Sequence, residues 1–353
     1  MARSEFIIGF DDIILITGSS GFIGSRVVST LLKYGFTNLR CFVRSSSNLA
    51  SLNKIIKDYN NANIKIINGN LLSRDDCRNA IEGVSVIFHL AAVAEKSFAG
   101  SFMNNVLTTR NLLDATFQDK SLKRFLNVSS FAVYSNLNIK RGGMLDETCE
   151  VEKQLVERCE AYTFGKMKQD EMVMEYGRKY NTPYVIVRPG AVYGPGKSPI
   201  TSRVGIDTFG IFMHLGGSNR IPLTYVDNCA EAMVLAGITK GVDGEVFNIV
   251  DDDLPTSREF LYLYKKNVKK FNTIYIPYSL FHFFCYLWEK YADWSKGQLQ
   301  PVFNRRRCAA YWKGNQYTNQ KMKEMLGWEP KVPTRDGLNR YFKFCKDNKN
   351  GHA

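Results

Sequence analysis

Tyr162 and Lys166 stand four residues apart in Tyr162-Thr163-Phe164-Gly165-Lys166. On a helix, positions i and i+4 share a face. A phenol has a pKa of about 10 and is a poor base at neutral pH. A nearby ammonium favours the phenolate and lowers that value. Such a pair can exchange a proton with a substrate hydroxyl or carbonyl, and the amine also reaches a ribose. The same spacing arises when a tyrosine ring only packs on a lysine stem. Ser129-Ser130 follows the strand-like Phe125-Leu126-Asn127-Val128. It sets hydroxyls at the carboxyl edge of a strand, where one can hydrogen-bond a reacting oxygen or cap a turn.

A third pattern is Thr17-Gly18-Ser19-Ser20-Gly21-Phe22-Ile23-Gly24, between apolar Ile13–Ile16 and Ser25–Leu32. It reads as buried strand, tight turn and amphipathic helix. Backbone N–H groups and the positive end of a helix dipole converge there, which suits a dinucleotide pyrophosphate. The glycine spacing is G-x-x-G-x-x-G rather than the commoner G-x-G-x-x-G. Gly18 allows the turn, Gly21 the approach of phosphate, and Gly24 close packing of helix on strand. A plain strand-to-helix turn that needs glycine is the alternative.

These residues need a scaffold, and the pattern around them supplies one. Strands are predicted at Ile13–Thr17, Leu39–Val43, Ile64–Asn68, Val84–His89, Arg124–Ser129 and Tyr184–Arg188. Helices are predicted at Gly21–Tyr34, Asn48–Asp58, Arg74–Ile81, Phe102–Phe117 and Glu160–Tyr180. Alternation of this kind predicts an α/β fold, a doubly wound parallel sheet of Rossmann type covered on both faces. Ligands then bind at the carboxyl ends of the strands, where strand order reverses. After Gly190 the pattern loosens through the loop Gly194–Pro199. A helix at Val226–Ile238 and a return strand near 245–250 follow, then aromatic-rich helices and loops, with helices at Asn319–Leu326 and Arg335–Lys346. We expect a dinucleotide-binding domain over 1–190 and a smaller, mostly helical substrate region over 191–353.

The 353 residues are 44% hydrophobic and carry a net charge of +13. Residues 255–353 hold 19 Lys and Arg against 7 Asp and Glu, a net of +12. A basic C-terminal part can draw a phosphorylated substrate, an acidic membrane surface or nucleic acid, or can simply face water. No nucleic-acid-binding fold is recognisable, so that partner is set aside. The eight cysteines form no C-x-x-C pair and only four histidines exist, so neither a metal site nor a disulfide framework is expected. The Met1–Phe10 segment has no cleavage pattern, and Tyr278–Trp288 is shorter than the roughly 20 residues a membrane helix needs. A cytoplasmic protein is expected.

The order of these motifs resembles the extended short-chain dehydrogenase/reductase family, which includes nucleotide-sugar epimerases, dehydratases and 3β-hydroxysteroid dehydrogenases. Further landmarks are His89-Leu90-Ala91-Ala92, Ser129-Ser130-x-x-Val133-Tyr134, Arg188-Pro189-Gly190-x-Val192-Tyr193-Gly194, Tyr225-Val226-Asp227-Asn228 and Leu326-Gly327-Trp328-Glu329-Pro330. The resemblance implies Ser130, three residues before Val133, Tyr162 and Lys166 as the catalytic set. It implies cofactor contacts from Gly18, Ser19, Ser20, Gly21, Phe22, Ile23 and Gly24. Further contacts come from Asn70, Leu71, Leu90, Ala91, Ala92, Pro189 and Val192, with Tyr162 and Lys166. It implies substrate contacts from Ser130, Ala191, Tyr193 and Arg220, and a homodimer through a helix pair that includes Glu160–Tyr180.

Departures sharpen the reading. Asn70 stands where the family carries an adenine-binding aspartate. Phe131-Ala132 replaces the Asp-Glu that follows the active hydroxyl in 4,6-dehydratases, which disfavours dehydration. Ala191 replaces an asparagine found near the substrate diphosphate, and Arg220 is offset by one residue from a diphosphate-gripping arginine. Arg44, 20 residues after Gly24, replaces the acid that would bind the ribose 2′-hydroxyl of NAD. A guanidinium and Ser45-Ser46-Ser47 favour the 2′-phosphate of NADP over NAD. The expected function is NAD(P)-dependent hydride transfer on a hydroxyl of a nucleotide- or lipid-linked sugar. A sterol-type alcohol dehydrogenase and a non-enzymatic NADP-binding regulator are the alternatives.

Overall fold

The computed structural model describes residues 5–117, 121–197, 200–208, 210–296 and 298–350. Met1–Ser4 of the N-terminal segment and Ser198-Pro199 of the predicted loop lie outside the described residues. Seven strands form the central sheet: β1 (Ile13–Thr17), β2 (Asn38–Val43), β3 (Asn63–Asn68), β4 (Val84–His89), β5 (Arg124–Val128), β6 (Tyr184–Pro189) and β7 (Val246–Ile249). Every neighbouring pair is parallel, in the order β3-β2-β1-β4-β5-β6-β7. Strand order reverses between β1 and β4, which opens a crevice at their carboxyl ends. All six residues of β4 and all five of β5 are buried, as strands covered on both faces must be. At the edge, β3 alternates between exposed and half-buried residues.

One face of the sheet packs on the helices Gly24–Lys33 and Val226–Ile238, joined by Met322, Leu326 and Trp328. The other face packs on Arg74–Ile81, Thr108–Thr116 and Ala161–Tyr180. Residues 226–249 therefore return to the sheet body after the chain has left it. Buried Arg124 holds this return segment. Its guanidinium donates to Asp243 Oδ1 at 2.9 Å and to the carbonyls of Ala236 and Thr239 at 3.3 and 2.5 Å. The remaining C-terminal chain gathers over a separate apolar cluster that includes Tyr193, Tyr225, Phe260 and Tyr341. It also carries a small sheet of Thr273–Tyr275, Ile211–His214 and Gly205–Thr208 that the sequence pattern did not predict.

Two contacts seat the long helix Ala161–Tyr180. Its Gly165 lies against the π-helical segment Phe102–Leu107, where a Cβ would stand 2.2 Å from Ser101 Oγ and 3.0 Å from Asn105 Nδ2. Beside it runs a chain of buried hydrogen bonds. Gln169 Nε2 donates to Thr109 Oγ1 at 2.7 Å, and Thr109 donates to Asn105 O at 2.6 Å. His89 Nε2 meets Thr109 Oγ1 at 3.0 Å, and His89 Nδ1 meets Thr17 Oγ1 at 2.9 Å. Thr17 Oγ1 also accepts from Ala91 N at 3.2 Å. With the Thr109 proton spent on Asn105, His89 donates through Nε2 and accepts at Nδ1. The ring is neutral, pushed down to about 3 by burial and by the Lys166 charge.

Gly165→Ala should lower the stability of the protein by about 1–3 kcal/mol in urea denaturation, because the helix must back away from Ser101. The second prediction concerns acid. Between 6.5 and about 3 the unfolded chain binds a proton that folded His89 refuses, so stability falls as pH falls through that window. His89→Gln should flatten the stability-against-pH curve between pH 6 and 4 by roughly 1.4 kcal/mol per pH unit, read from urea midpoints.

Candidate active site

The turn after β1 builds the first wall. Gly18 has φ +68°, and a Cβ there would stand 3.0 Å from Ala91 N. At Gly24 a Cβ would stand 2.1 Å from Gly18 O, so only glycine lets the helix meet the strand this closely. At Gly21 the added atom would meet Gly18 O alone, at 3.1 Å, and otherwise open space. The helix Gly24–Lys33 starts with no side-chain cap and no acid in its first turn. Among the described residues no side chain accepts from its N-terminal amides. These residues fit a dinucleotide diphosphate.

Beside the turn lies a cleft of about 410 Å³. Ser130, Tyr162 and Lys166 line it together, with Ile23, Leu90 and Ala92 on the side of the glycine turn. Pro189, Ala191, Val192 and Tyr193 line it from the end of β6 onward. Ser129 is turned away: its hydroxyl donates to buried Asp170 Oδ2 at 2.8 Å. Ser130, the next residue of an extended chain, points to the opposite side. Its Oγ accepts from Ala132 N at 3.1 Å, and it lines the cleft together with Tyr162.

Lys166 is buried and donates from Nζ to Val128 O at 2.7 Å. Burial pushes it down to about 8, against the opposing charge of Asp170. The phenol of Tyr162 is raised above its ordinary value, first by burial, with the Ser130 hydroxyl opposing and Glu160 and Asp170 adding to the rise. Lys166 is not among the groups that lower the Tyr162 phenol in this geometry. The ammonium is committed to a carbonyl of the sheet.

Other predicted residues lie outside the cleft. Ser19 is buried and donates to Phe42 O at 3.3 Å, and Ala91 N donates to Thr17 Oγ1. Ser20 is in the glycine turn, and Phe22 lies under Lys197, whose Nζ is 5.6 Å from the ring centre. Arg44 follows β2 in a turn closed by Ser47 N donating to Arg44 O at 2.9 Å. Asn70 and Leu71 follow β3. The Asn70 side-chain oxygen accepts from Leu72 N at 3.0 Å, and buried Leu71 presents its carbonyl to Asn111 Nδ2 at 3.0 Å. These three share the carboxyl edge of the sheet but stand beyond the glycine turn. Arg220 is not brought to the cleft, because its Nη1 donates to Leu254 O at 2.7 Å.

Sequence reasoning missed Lys197, Thr201, Phe260 and Tyr341, which also line the cleft. Lys197 is pushed down by burial. It also missed Asp170, which accepts from Asn127 Nδ2 at 3.0 Å, Ser129 Oγ at 2.8 Å and Arg188 Nη2 at 3.3 Å. A signal for Asp170 was present: it continues the Tyr162–Lys166 stripe by four more residues.

Comparison with known proteins places this arrangement. The trifunctional UDP-glucose 4,6-dehydratase/UDP-4-keto-6-deoxy-D-glucose 3,5-epimerase/UDP-4-keto-L-rhamnose-reductase of Arabidopsis thaliana is 31% identical over 255 residues. That match covers 67% of this chain and only 36% of the length of that protein. The sterol-4-alpha-carboxylate 3-dehydrogenase, decarboxylating, of Mus musculus is 24% identical over 92% of this chain and 88% of its own length. Among solved structures, the UDP-glucuronic acid 4-epimerase from Bacillus cereus in complex with NAD has the same fold, with a TM-score of 0.72 at 22% identity. The match covers 96% of this chain and 98% of that one. The model of the NAD dependent epimerase/dehydratase family matches residues 14–250, from β1 to just past β7. By that match, which includes the glycine turn and the Ser130, Tyr162 and Lys166 cleft, the chain belongs to the NAD dependent epimerase/dehydratase family.

Proposed function

We propose that the protein is an oxidoreductase or epimerase that works on a hydroxyl of a nucleotide- or lipid-linked sugar with a nicotinamide dinucleotide. The observation that carries this reading is the meeting of Ser130, Tyr162 and Lys166 in one cleft beside an uncapped, glycine-built helix start. When bound, the dinucleotide accepts or returns a hydride. The Gly18–Gly24 turn would hold its diphosphate, and Lys166 its nicotinamide ribose. As the phenolate, Tyr162 Oη would take the proton of the reacting hydroxyl, and as the phenol it would give that proton back in the reverse direction. Ser130 Oγ accepts from Ala132 N, so its own proton is available to the same substrate oxygen. Burial holds the Tyr162 phenol above its ordinary value. A ribose hydroxyl that recruits Lys166 away from Val128 O would bring the ammonium to bear on the phenol. The buried apolar pair Phe131 and Ala132 after Ser130 supports oxidation or epimerisation rather than dehydration.

NADP is the proposed form of the dinucleotide. Arg44 makes no ion pair among the described residues, and its guanidinium is free for a 2′-phosphate at the end of β2. A homodimer through Ala161–Tyr180 is supported by the exposed rings of Phe117 and Tyr180, which pack at 4.5 Å. Among the described residues no helix is long and apolar enough to cross a membrane. A cytoplasmic location is proposed on the eight free thiols.

A sterol-like alcohol is the second reading. It is favoured by Ala191 and by the apolar wall of Tyr193, Leu223 and Phe260. It is also favoured by the sterol dehydrogenase's likeness along nearly the whole chain. Turnover of nucleotide-linked hexoses alone, in a substrate screen that includes sterols, would remove it.

Tyr162→Phe should lower kcat/KM by roughly 10²–10⁴-fold while leaving dinucleotide affinity little changed, with reduction followed at 340 nm or sugar exchange by NMR. Unchanged turnover would end the proposal. A protein that binds the dinucleotide and turns over no alcohol would instead be a regulator. Arg44→Glu should weaken NADP binding by about ten- to a hundredfold in calorimetric titration and leave NAD binding equal or stronger.

A further inference from the structure

The helix Tyr278–Trp294 buries only Phe281, Cys285 and Ala292. Leu280, Phe283, Phe284, Leu287, Tyr291 and Trp294 stand at i, i+3, i+4, i+7, i+11 and i+14 and are 46, 54, 51, 46, 48 and 76% exposed. That spacing is a single helix face. The chain that follows extends the apolar surface with exposed Leu299, Val302 and Phe303. It is held beside the helix by Phe303 against Phe281, ring centres 6.1 Å apart, and by Trp288 Nε1 donating to Gln300 O at 3.5 Å. Large apolar side chains grouped this way mark an interaction surface, whereas scattered ones do not.

Cations gather beside the strand that leads into this helix. The strand Thr273–Tyr275 leads into the helix and exposes Ile274 and Tyr275. Arg258 lies over the Tyr275 ring at 5.8 Å, and Lys265 Nζ donates to Thr273 Oγ1 at 3.2 Å. Lys266 and Lys270 line the same open groove. None of these four cations is ion-paired with a carboxylate among the described residues. Exposed Lys290 and Lys296 flank the far end of the helix. They belong to the segment that carries +12 of the net charge.

We propose that this face docks on an anionic phospholipid bilayer, with the helix Tyr278–Trp294 lying in the boundary layer. A second copy seated on the same face would bring the two sets of cations together. An anionic bilayer matches both features at once. Its acyl region takes the phenylalanine and leucine side chains, its boundary takes the rings of Tyr291 and Trp294, and its headgroups take the lysines. The docked face is one layer from the cleft. Phe281 meets Trp312 edge-on at 5.4 Å, Trp312 Nε1 donates to Ser202 O at 3.0 Å, and Ser202 lines the cleft. The consequence for substrate rests on the function proposed above: a carbohydrate carried on a lipid would be met where it resides.

The test is flotation of the full chain with vesicles of phosphatidylcholine alone and of phosphatidylcholine mixed with phosphatidylglycerol, with tryptophan emission as a second readout. The wild type should float with the mixed vesicles, show a blue shift, and release at high salt. Phe284→Glu with Leu287→Glu should lower the partition coefficient by about tenfold or more while circular dichroism stays unchanged. Lys265→Glu with Lys266→Glu should weaken binding to mixed vesicles only. Tyr162→Phe should bind as wild type, so a failed reaction and a failed docking are told apart. Absence of wild-type flotation, or flotation indifferent to Phe284→Glu with Leu287→Glu, overturns the proposal. So does a dimer in sedimentation that those two changes dissociate, which would give the face to a second copy.

Discussion

Asp170 is the carboxylate on which the site's geometry depends. Buried within the helix Ala161–Tyr180, it accepts hydrogen bonds from Asn127 and Ser129 at the end of β5 and from Arg188 on β6. Burial raises its pKa, and Arg188, Ser129 and Lys166 oppose the rise. A charge in this position must be paired, since breaking such a pair costs about 3–5 kcal/mol. The pairing sets which way each neighbour points. With Asn127 and Ser129 drawn toward Asp170, the intervening Val128 presents its carbonyl to Lys166, and Ser130 emerges into the cleft beside Tyr162. One buried carboxylate thus helps to set where Ser130 and Lys166 stand.

The sheet was legible because its strands are short, apolar and bounded by turn residues. β1 and β4, and the helices Arg74–Ile81 and Val226–Ile238, fall where the pattern put them. The glycine turn and the Tyr162/Lys166 spacing were legible because they are local. What escaped was what only the folded chain brings together. Phe260 and Tyr341 reach the cleft from elements far along the sequence. Lys166 bonds a backbone carbonyl, and no side-chain pattern announces a carbonyl. Arg220 carries the right side chain one position out of step. Its residue bridges Thr256, which directs the guanidinium to Leu254 O and away from the cleft. The strands Gly205–Thr208 and Ile211–His214 are four residues each, too short to show a period.

The two halves of the chain are stitched together by polar contacts as well as by packing. Asp251, just after β7, accepts from Tyr225 N at 2.8 Å and from Asn228 Nδ2 at 3.1 Å, and burial raises it to about 7. Tyr311 donates to Glu160 at the start of the helix Ala161–Tyr180, at 2.5 Å. Asn319 Nδ2 donates to Val250 O at 2.8 Å. The C-terminal helices are in this way anchored to the same strand ends and the same helix that build the cleft. Their outer surface keeps the positive charge and the uncovered rings, while their inner surface closes the site.

In the function proposed above, the glycine turn and the Tyr162 cleft are two ends of one dinucleotide site. Diffraction from crystals of the protein grown with a nicotinamide dinucleotide tests this most directly. Diphosphate density is expected against the Gly18–Gly24 amides, and the nicotinamide beside the Tyr162 hydroxyl with its ribose on Lys166. Diphosphate density elsewhere, or a nicotinamide remote from Tyr162, would contradict it.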